Sequence, residues 1–286
     1  MYYAISLLMG VLISVMIVFN GGLSQVYGIY AATVIVHIAG LAVISAVVLA
    51  RREWPFSARY AWFLYMGGAI GVLVTAFTNM AFGRISVSAI LALGLLGQSV
   101  AGLIIDQYGL LGMPRHPFAR RKLVGLTLIV CGIVSMIYSF EPMAVGVSFA
   151  AGLGVVISRT LNARLSSLTS LYTSTYYNYL VGLCGSVLVF LLLGQNEPIH
   201  AGFAFSPNLY IYLGGVIGVA IVILSNITVA RVSAFYLTLL VFVGQVFAGI
   251  TIDFLISQAF SARIIIGGGL VTAGLCADLL LTRSKS

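Results

Sequence analysis

The chain has 286 residues, of which 61% are hydrophobic and only 7% charged, with a mean hydropathy of +1.15. A soluble domain carries about 25% charged residues, so this composition excludes a water-covered surface and specifies a polytopic membrane protein. The net charge of +8 is spread over short loops, with one denser run, "RHPFARRK", at 115–122. That is a pattern of topogenic loop charge rather than of nucleic-acid binding.

A spanning helix needs about 20 apolar residues. Such runs fall near 2–20, 31–50, 61–82, 85–106, 123–140, 143–162, 174–194, 209–230, 232–253 and 264–282. The first lacks the basic start and small-residue cleavage site of a signal peptide, so it reads as a retained helix. Most breaks are polar or carry Pro or Gly, such as "NGGLSQ", "RREWPFSAR" and "GQNEPIHAGFAFSPN". Two are nearly silent, "FGRIS" at 82–86 and "ARVS" at 230–233. They are split because a helix of ~45 residues overruns a hydrocarbon core ~30 Å thick. Asn20 and Asn162 end the first and sixth predicted helices, where an asparagine serves as a C-cap. Cys131, Cys184 and Cys276 have no metal spacing and read as small buried hydrophobes.

Loop charge sets the orientation. With the N-terminus in the cytoplasm, inside segments hold twelve Lys and Arg residues, Arg159 and Arg164 among them, and the outside keeps only Arg84 and Arg263. The positive-inside rule therefore predicts both termini in the cytoplasm. Trp54 and Trp62 flank an inside loop, as interfacial tryptophans do.

The sequence is internally repeated. Residues 67–106 align without a gap on 214–253, with 15 of 40 positions identical. The matches include the pairs Asn79/Asn226, Arg84/Arg231, Gln98/Gln245 and Asp106/Asp253. Apolar composition alone would match leucines and valines, not these polar residues in register. At an offset of 142, Gly10 matches Gly152, Asn20 matches Asn162 and Gly40 matches Gly182. The expected architecture is all-α: one membrane domain over 1–286, ten transmembrane helices, a first repeat at 1–140 and a second at 143–286. Five helices per repeat is odd, so the second copy enters the bilayer upside down. Inverted-topology repeats are the architecture of many secondary transporters.

The stretch "GQSVAGLIIDQYGLLGMPRHPFARRKLVGLTLIVCGI" at 97–133, with "NGGL" after the first helix and "GG…G" opening the third, resembles the YdcZ-like branch of the drug/metabolite transporter superfamily. That branch is a bacterial inner-membrane group of short five-helix and fused ten-helix proteins. The resemblance implies solute transport across the cytoplasmic membrane by a multi-pass protein. The small multidrug exporters of the superfamily use a glutamate in the first helix, which here has no acidic residue. That argues against proton-coupled export of permanent cations and for a neutral, zwitterionic or weakly basic solute.

Polar residues inside spans are costly and are therefore candidate functional groups. Gln98 and Gln245 either hydrogen-bond a ligand or join two helices. Asn79 and Asn226 either contact a ligand or cap a tight loop. Tyr176, Tyr177 and Asn178 either form an interfacial belt or an aromatic wall for a solute. His37 either packs in the interior or couples a proton. Arg84 and Asp106 bracket the fourth predicted helix, ~33 Å apart along it. In an inverted copy Arg231 and Asp253 exchange sides, so Arg84–Asp253 outside and Asp106–Arg231 inside form two expected gates. No HExxH, CxxC, phosphate-binding glycine loop or Ser/His/Asp cluster is present, so neither an enzyme nor a metal or other cofactor is expected. The expected function is a secondary transporter of a small polar or amphipathic metabolite or drug, working by alternating access as a monomer or homodimer. A passive facilitator or channel and a non-transporting membrane partner are the alternatives.

Overall fold

The computed structural model describes residues 1–57, 60–112, 122–136, 141–197, 205–229, 234–257 and 262–283. Their secondary structure is helical. The helices are α1 (Tyr2–Tyr27), α2 (Ile29–Ala50), α3 (Met66–Ala81), α4 (Val87–Tyr108), α5 (Lys122–Met136), α6 (Pro142–Leu168), α7 (Leu171–Leu193), α8 (Gly214–Val229), α9 (Ala234–Ser257) and α10 (Ala262–Arg283). Short 3-10 turns, Trp62–Tyr65 and Leu209–Leu213, lead into α3 and α8. Among the described residues, seven segments are long and apolar enough to cross a membrane. They are α1, α2, α4, α6, α7, and α3 and α8 taken with their leading turns. α9 and α10 carry shorter apolar stretches, Leu240–Ile256 and Ile265–Gly274.

The break predicted at 82–86 is real. α3 stops at Ala81, Gly83 turns the chain at φ +79°, and the Ser86 hydroxyl accepts the Ala89 N–H to start α4. The companion break at 230–233 and the basic loop at 113–121 lie outside the described residues. Two boundaries are corrected. α1 runs through "NGGLSQ" to Gly28, and α6 runs through Asn162 to Leu168. Asn20 and Asn162 are therefore interior helix residues, not C-caps. The reason is packing: Asn162 donates to the Asn178 side chain of α7 (2.8 Å), and a side chain at Gly214 of α8 would collide with Asn20 Oδ1. Gly21 is likewise used for contact, with the Phe82 ring lying where its side chain would be. The three cysteines are also corrected: all are free and exposed on their helices rather than buried.

Close helix crossings use small residues, which let backbones approach, and each crossing occurs twice. A Cβ at Gly97 of α4 would meet the Phe149 carbonyl of α6, and one at Gly244 of α9 would meet the Leu7 carbonyl of α1. Gly68 of α3 faces the Asn178 carbonyl of α7; Gly215 of α8 faces the Val36 carbonyl of α2. Gly132 and Gly274 lock α5 and α10 against each other in the same reciprocal way. The partners in these paired contacts are related by the offsets that relate the sequences. Apolar side chains fill the space between crossings, with Phe242, Leu95, Ile129 and Val271 in one cluster joining α9, α4, α5 and α10.

This packing predicts a contrast between two glycines. A Cβ at Gly152 would lie 1.9 Å from the Gly94 carbonyl oxygen, whereas nothing lies within 4 Å of one at Gly102. Gly152→Ala is expected to destabilise the protein by about 1–3 kcal/mol, the usual cost of overpacking, and to lower Tm in detergent. Gly102→Ala is expected to leave Tm unchanged or raise it slightly, because alanine is the better helix former.

Candidate solute site

The interior holds amides that the protein does not use. Asn79 of α3 is 4% exposed, and neither its Oδ1 nor its Nδ2 has a hydrogen-bond partner among the described residues. Asn226, its counterpart on α8, is 7% exposed with its Nδ2 unpaired. Asn79 makes no cap among the described residues, and the loop that Asn226 would cap lies outside them. Gln245 is buried on α9 and Gln98 partly buried on α4, and neither has a side-chain hydrogen bond to another described residue. Buried oxygens of Asn20, Ser148 and Ser225 are unpaired as well. Each unpaired buried group costs about 1–3 kcal/mol. A membrane protein that keeps several of them gives up stability for some other purpose. The backbones at these positions sit at helix crossings: Gly97, beside Gln98, packs on α6, while Ser14 of α1 donates to the Gln245 carbonyl (3.1 Å).

The other candidates belong to other settings. The Tyr177 hydroxyl donates to the Pro55 carbonyl (3.1 Å), and its ring meets Tyr65, Phe56 and Tyr176 edge-on. Exposed Trp54 stacks on Phe56 in the same cluster. This is the geometry of an interfacial belt. Asn178 accepts from Asn162, so it joins α7 to α6. His37 is buried; its Nδ1 pairs with the Thr33 carbonyl one turn back (2.7 Å), and its ring fills the space over Gly182. The Tyr179 ring fills the space over Gly40 in the same manner. His37 and Tyr179 are thus reciprocal knobs of the α2–α7 crossing.

Acidic side chains sit on helix N-termini, whose first N–H groups have no partner within the helix. Asp253 of α9 accepts the Val87 N–H (2.8 Å) and the Ser88 N–H (3.0 Å) at the start of α4, and also the Ser88 hydroxyl. Glu197, just after α7, accepts the Ile29 N–H and Tyr30 N–H at the start of α2, both at 3.0 Å. Glu53, just after α2, accepts from the Ser170 hydroxyl (2.6 Å), which itself caps α7 through Thr173. Arg84 lies at the same end as Asp253, and its guanidinium reaches Met143 Sδ (3.7 Å). Arg231 and the side chain of Asp106 lie outside the described residues.

The two ends of the α4–α9 pair differ. Gly249 of α9 is covered by Ser88 and Leu91 of α4, beside the Asp253 contacts. Gly102, the counterpart of Gly249, faces open space. The helices therefore meet at the Asp253 end; at the other end nothing described lies within 4 Å of a Cβ at Gly102, and most side chains of the first turns of α9 lie outside the described residues. One residue at that other end was misjudged from sequence. Arg159, counted as a loop charge, lies inside α6, and so does Arg164. Its placement within the predicted span 143–162 was the available signal.

Two copies of a single family match the chain, over 1–135 and 143–277, and the family is described as "Putative inner membrane exporter, YdcZ". The chain belongs to this YdcZ family of the drug/metabolite transporters. The two matched ranges fall on the two segments that the internal repeat relates, and the family is one of membrane exporters rather than enzymes. No curated protein matches the chain. Among solved structures, one titled only "Crystal structure of protein" shares the fold, with a TM-score of 0.67 at 17% identity over 100% of this chain and 99% of that one.

The Asp253 contacts predict a measurable loss. Hydrogen bonds to a charged group contribute about 1.5–3 kcal/mol each, so Asp253→Ala is expected to destabilise the YdcZ-type fold by about 2 kcal/mol or more. Thermal unfolding of the purified variant checks this, with Glu197→Ala behaving alike at the start of α2.

Proposed function

We propose that the protein is a secondary transporter of ten membrane spans, arranged as two inverted five-helix repeats with both termini in the cytoplasm. It moves a small polar or amphipathic solute by alternating access. The observation that carries this reading is the set of unpaired interior amides, Asn79, Asn226, Gln98 and Gln245, in a chain of an exporter family. In hydrocarbon such groups have no water to satisfy them. A solute that accepts and donates hydrogen bonds supplies what they lack. The duplicated units make a second chain unnecessary for the cycle.

In this reading α4 and α9 are the moving pair. The Asp253 carboxylate on the α4 N-terminus is the outer latch, with the Arg84 charge beside it. The inner latch is its copy: Asp106 on the start of α9 at Ala234 and Phe235, with Arg231 beside it. Only one latch closes at a time, because an inverted pair of helices pivots like a see-saw. The closed Asp253 end and the open space at Gly102 then describe a form open to the cytoplasm.

Cysteine labelling tests the cycle. In a background lacking Cys131, Cys184 and Cys276, Gly102→Cys is expected to react with a membrane-impermeant maleimide from the cytoplasmic side. Ser88→Cys is expected to be protected from outside. Adding Asp253→Ala should expose Ser88→Cys and slow labelling of Gly102→Cys. If the two positions respond independently, the pair does not alternate and a passive pore is the better description. Asn79→Ala and Asn226→Ala are expected to lower solute counterflow in proteoliposomes at least tenfold while leaving Tm unchanged or higher.

A further inference from the structure

The amides are not the strongest polar feature of the interior. α6 carries Arg159 within its apolar length, two turns beyond Gly152 and three residues before Asn162. At 100° per residue it lies about 140° around the helix from Arg164 and about 140° from Gly146, both exposed. Arg159 is only partly exposed. It thus points away from the lipid-facing side of α6, along the stripe that begins at buried Ser148 and Gly152.

Its level follows from two contacts. Gly152 packs on the Gly94 backbone of α4, and Arg164 Nη1 donates to the Leu111 carbonyl beyond the end of α4 (3.2 Å). α4 and α6 therefore run in the same direction, and Arg159 stands beside residues 102–106 of α4. That is the end where Gly102 faces open space. Asp106 lies at this level, with its side chain outside the described residues.

Among the described residues, no hydrogen bond or ion pair joins Arg159 to another group. The only ion pair among the described residues is Arg51–Glu53. The other copy shows what a structural residue does at this place. Ile17, the counterpart of Arg159 at the offset of 142, is buried in a dry cluster with Ala81, Val87, Ile90 and Leu91. Where the first repeat holds a packed isoleucine, the second holds a cation with no partner among the described residues. Intramembrane charges of this kind mark solute paths.

The geometry points to Arg159 as the counter-charge for an anionic group of the solute, a carboxylate or phosphate held by the planar guanidinium. The inference rests on the transporter reading and deepens it, from a neutral or amphipathic solute to one that carries an oxyanion. The amides of Asn226 and Gln98 bind the remainder of such a solute.

Binding and transport are read separately. Purified wild type, Arg159→Ile and Arg159→Lys are titrated with benzoate, succinate and inorganic phosphate in thermal-shift assays, with benzamide as the uncharged control. Arg159→Ile copies the packing of Ile17 and is expected to fold, with an equal or higher Tm. At least one anion is expected to stabilise wild type saturably while benzamide does not. Arg159→Ile should lose the effect, and Arg159→Lys, which keeps charge without the planar fork, should need at least tenfold more anion. The inference is overturned if no anion stabilises wild type, if Arg159→Ile responds equally, or if only phosphatidylglycerol reproduces the effect, which makes the ligand a lipid headgroup. Proteoliposome uptake then separates the two readings. Arg159-dependent binding without movement of the anion sinks the transporter reading alone. Movement that Arg159→Ile leaves intact sinks this inference alone.

Discussion

The constraint on which the structure depends is the unsatisfied N-terminus of a buried helix. In hydrocarbon every free N–H costs several kcal/mol, and a bundle of this size has many helix starts. The chain has only six acidic residues. Asp253, Glu197 and Glu53 are spent on helix starts in the other copy: Asp253 on α4, Glu197 on α2, Glu53 on the Ser170 that caps α7. Each contact combines hydrogen bonding with the positive end of a helix dipole. These three acids therefore bind repeat to repeat.

Small residues set how close those junctions come. Glycines at 97, 152, 244 and 10 let carbonyls of one helix lie against the backbone of the next. Interfaces of this kind have little side-chain interdigitation, so they slide and pivot more readily than knobs-into-holes packing does. Where a knob is used, at His37 over Gly182 and Tyr179 over Gly40, the crossing joins α2 to α7, away from the α4–α9 pair. α4 and α9 thus each lie on a glycine face of another helix, α6 for α4 and α1 for α9.

Much of this was legible in the sequence. Composition specified the membrane, and the in-register Asn, Gln, Arg and Asp matches relate the same two segments over which the YdcZ family matches. The silent break at 82–86 was found from bilayer thickness. What was misread has one physical source. Asn20, Asn162 and "NGG" look like helix terminators because, in water, asparagine and glycine end helices. In a bundle without water the helix goes on, and those residues are used for close packing and for bonds between helices. A helix N-terminus carries no letter in the sequence, so the contacts of Asp253 with the start of α4 could not be read from it.

Symmetry and its failures divide the molecule into scaffold and site. If two copies were alike at every position, the forms open to either side would be equal in energy and no solute would be favoured over another. In the proposed cycle, pairs that kept their identity, such as Asn79 with Asn226 and Gln98 with Gln245, would serve both forms equally, and pairs that diverged would act in one form only. Isoleucine at 17 against arginine at 159, and a covered Gly249 against an open Gly102, each set the Asp253 end of α4 apart from its other end. In the proposed cycle, those few unmatched positions are where a bias between the two forms would arise.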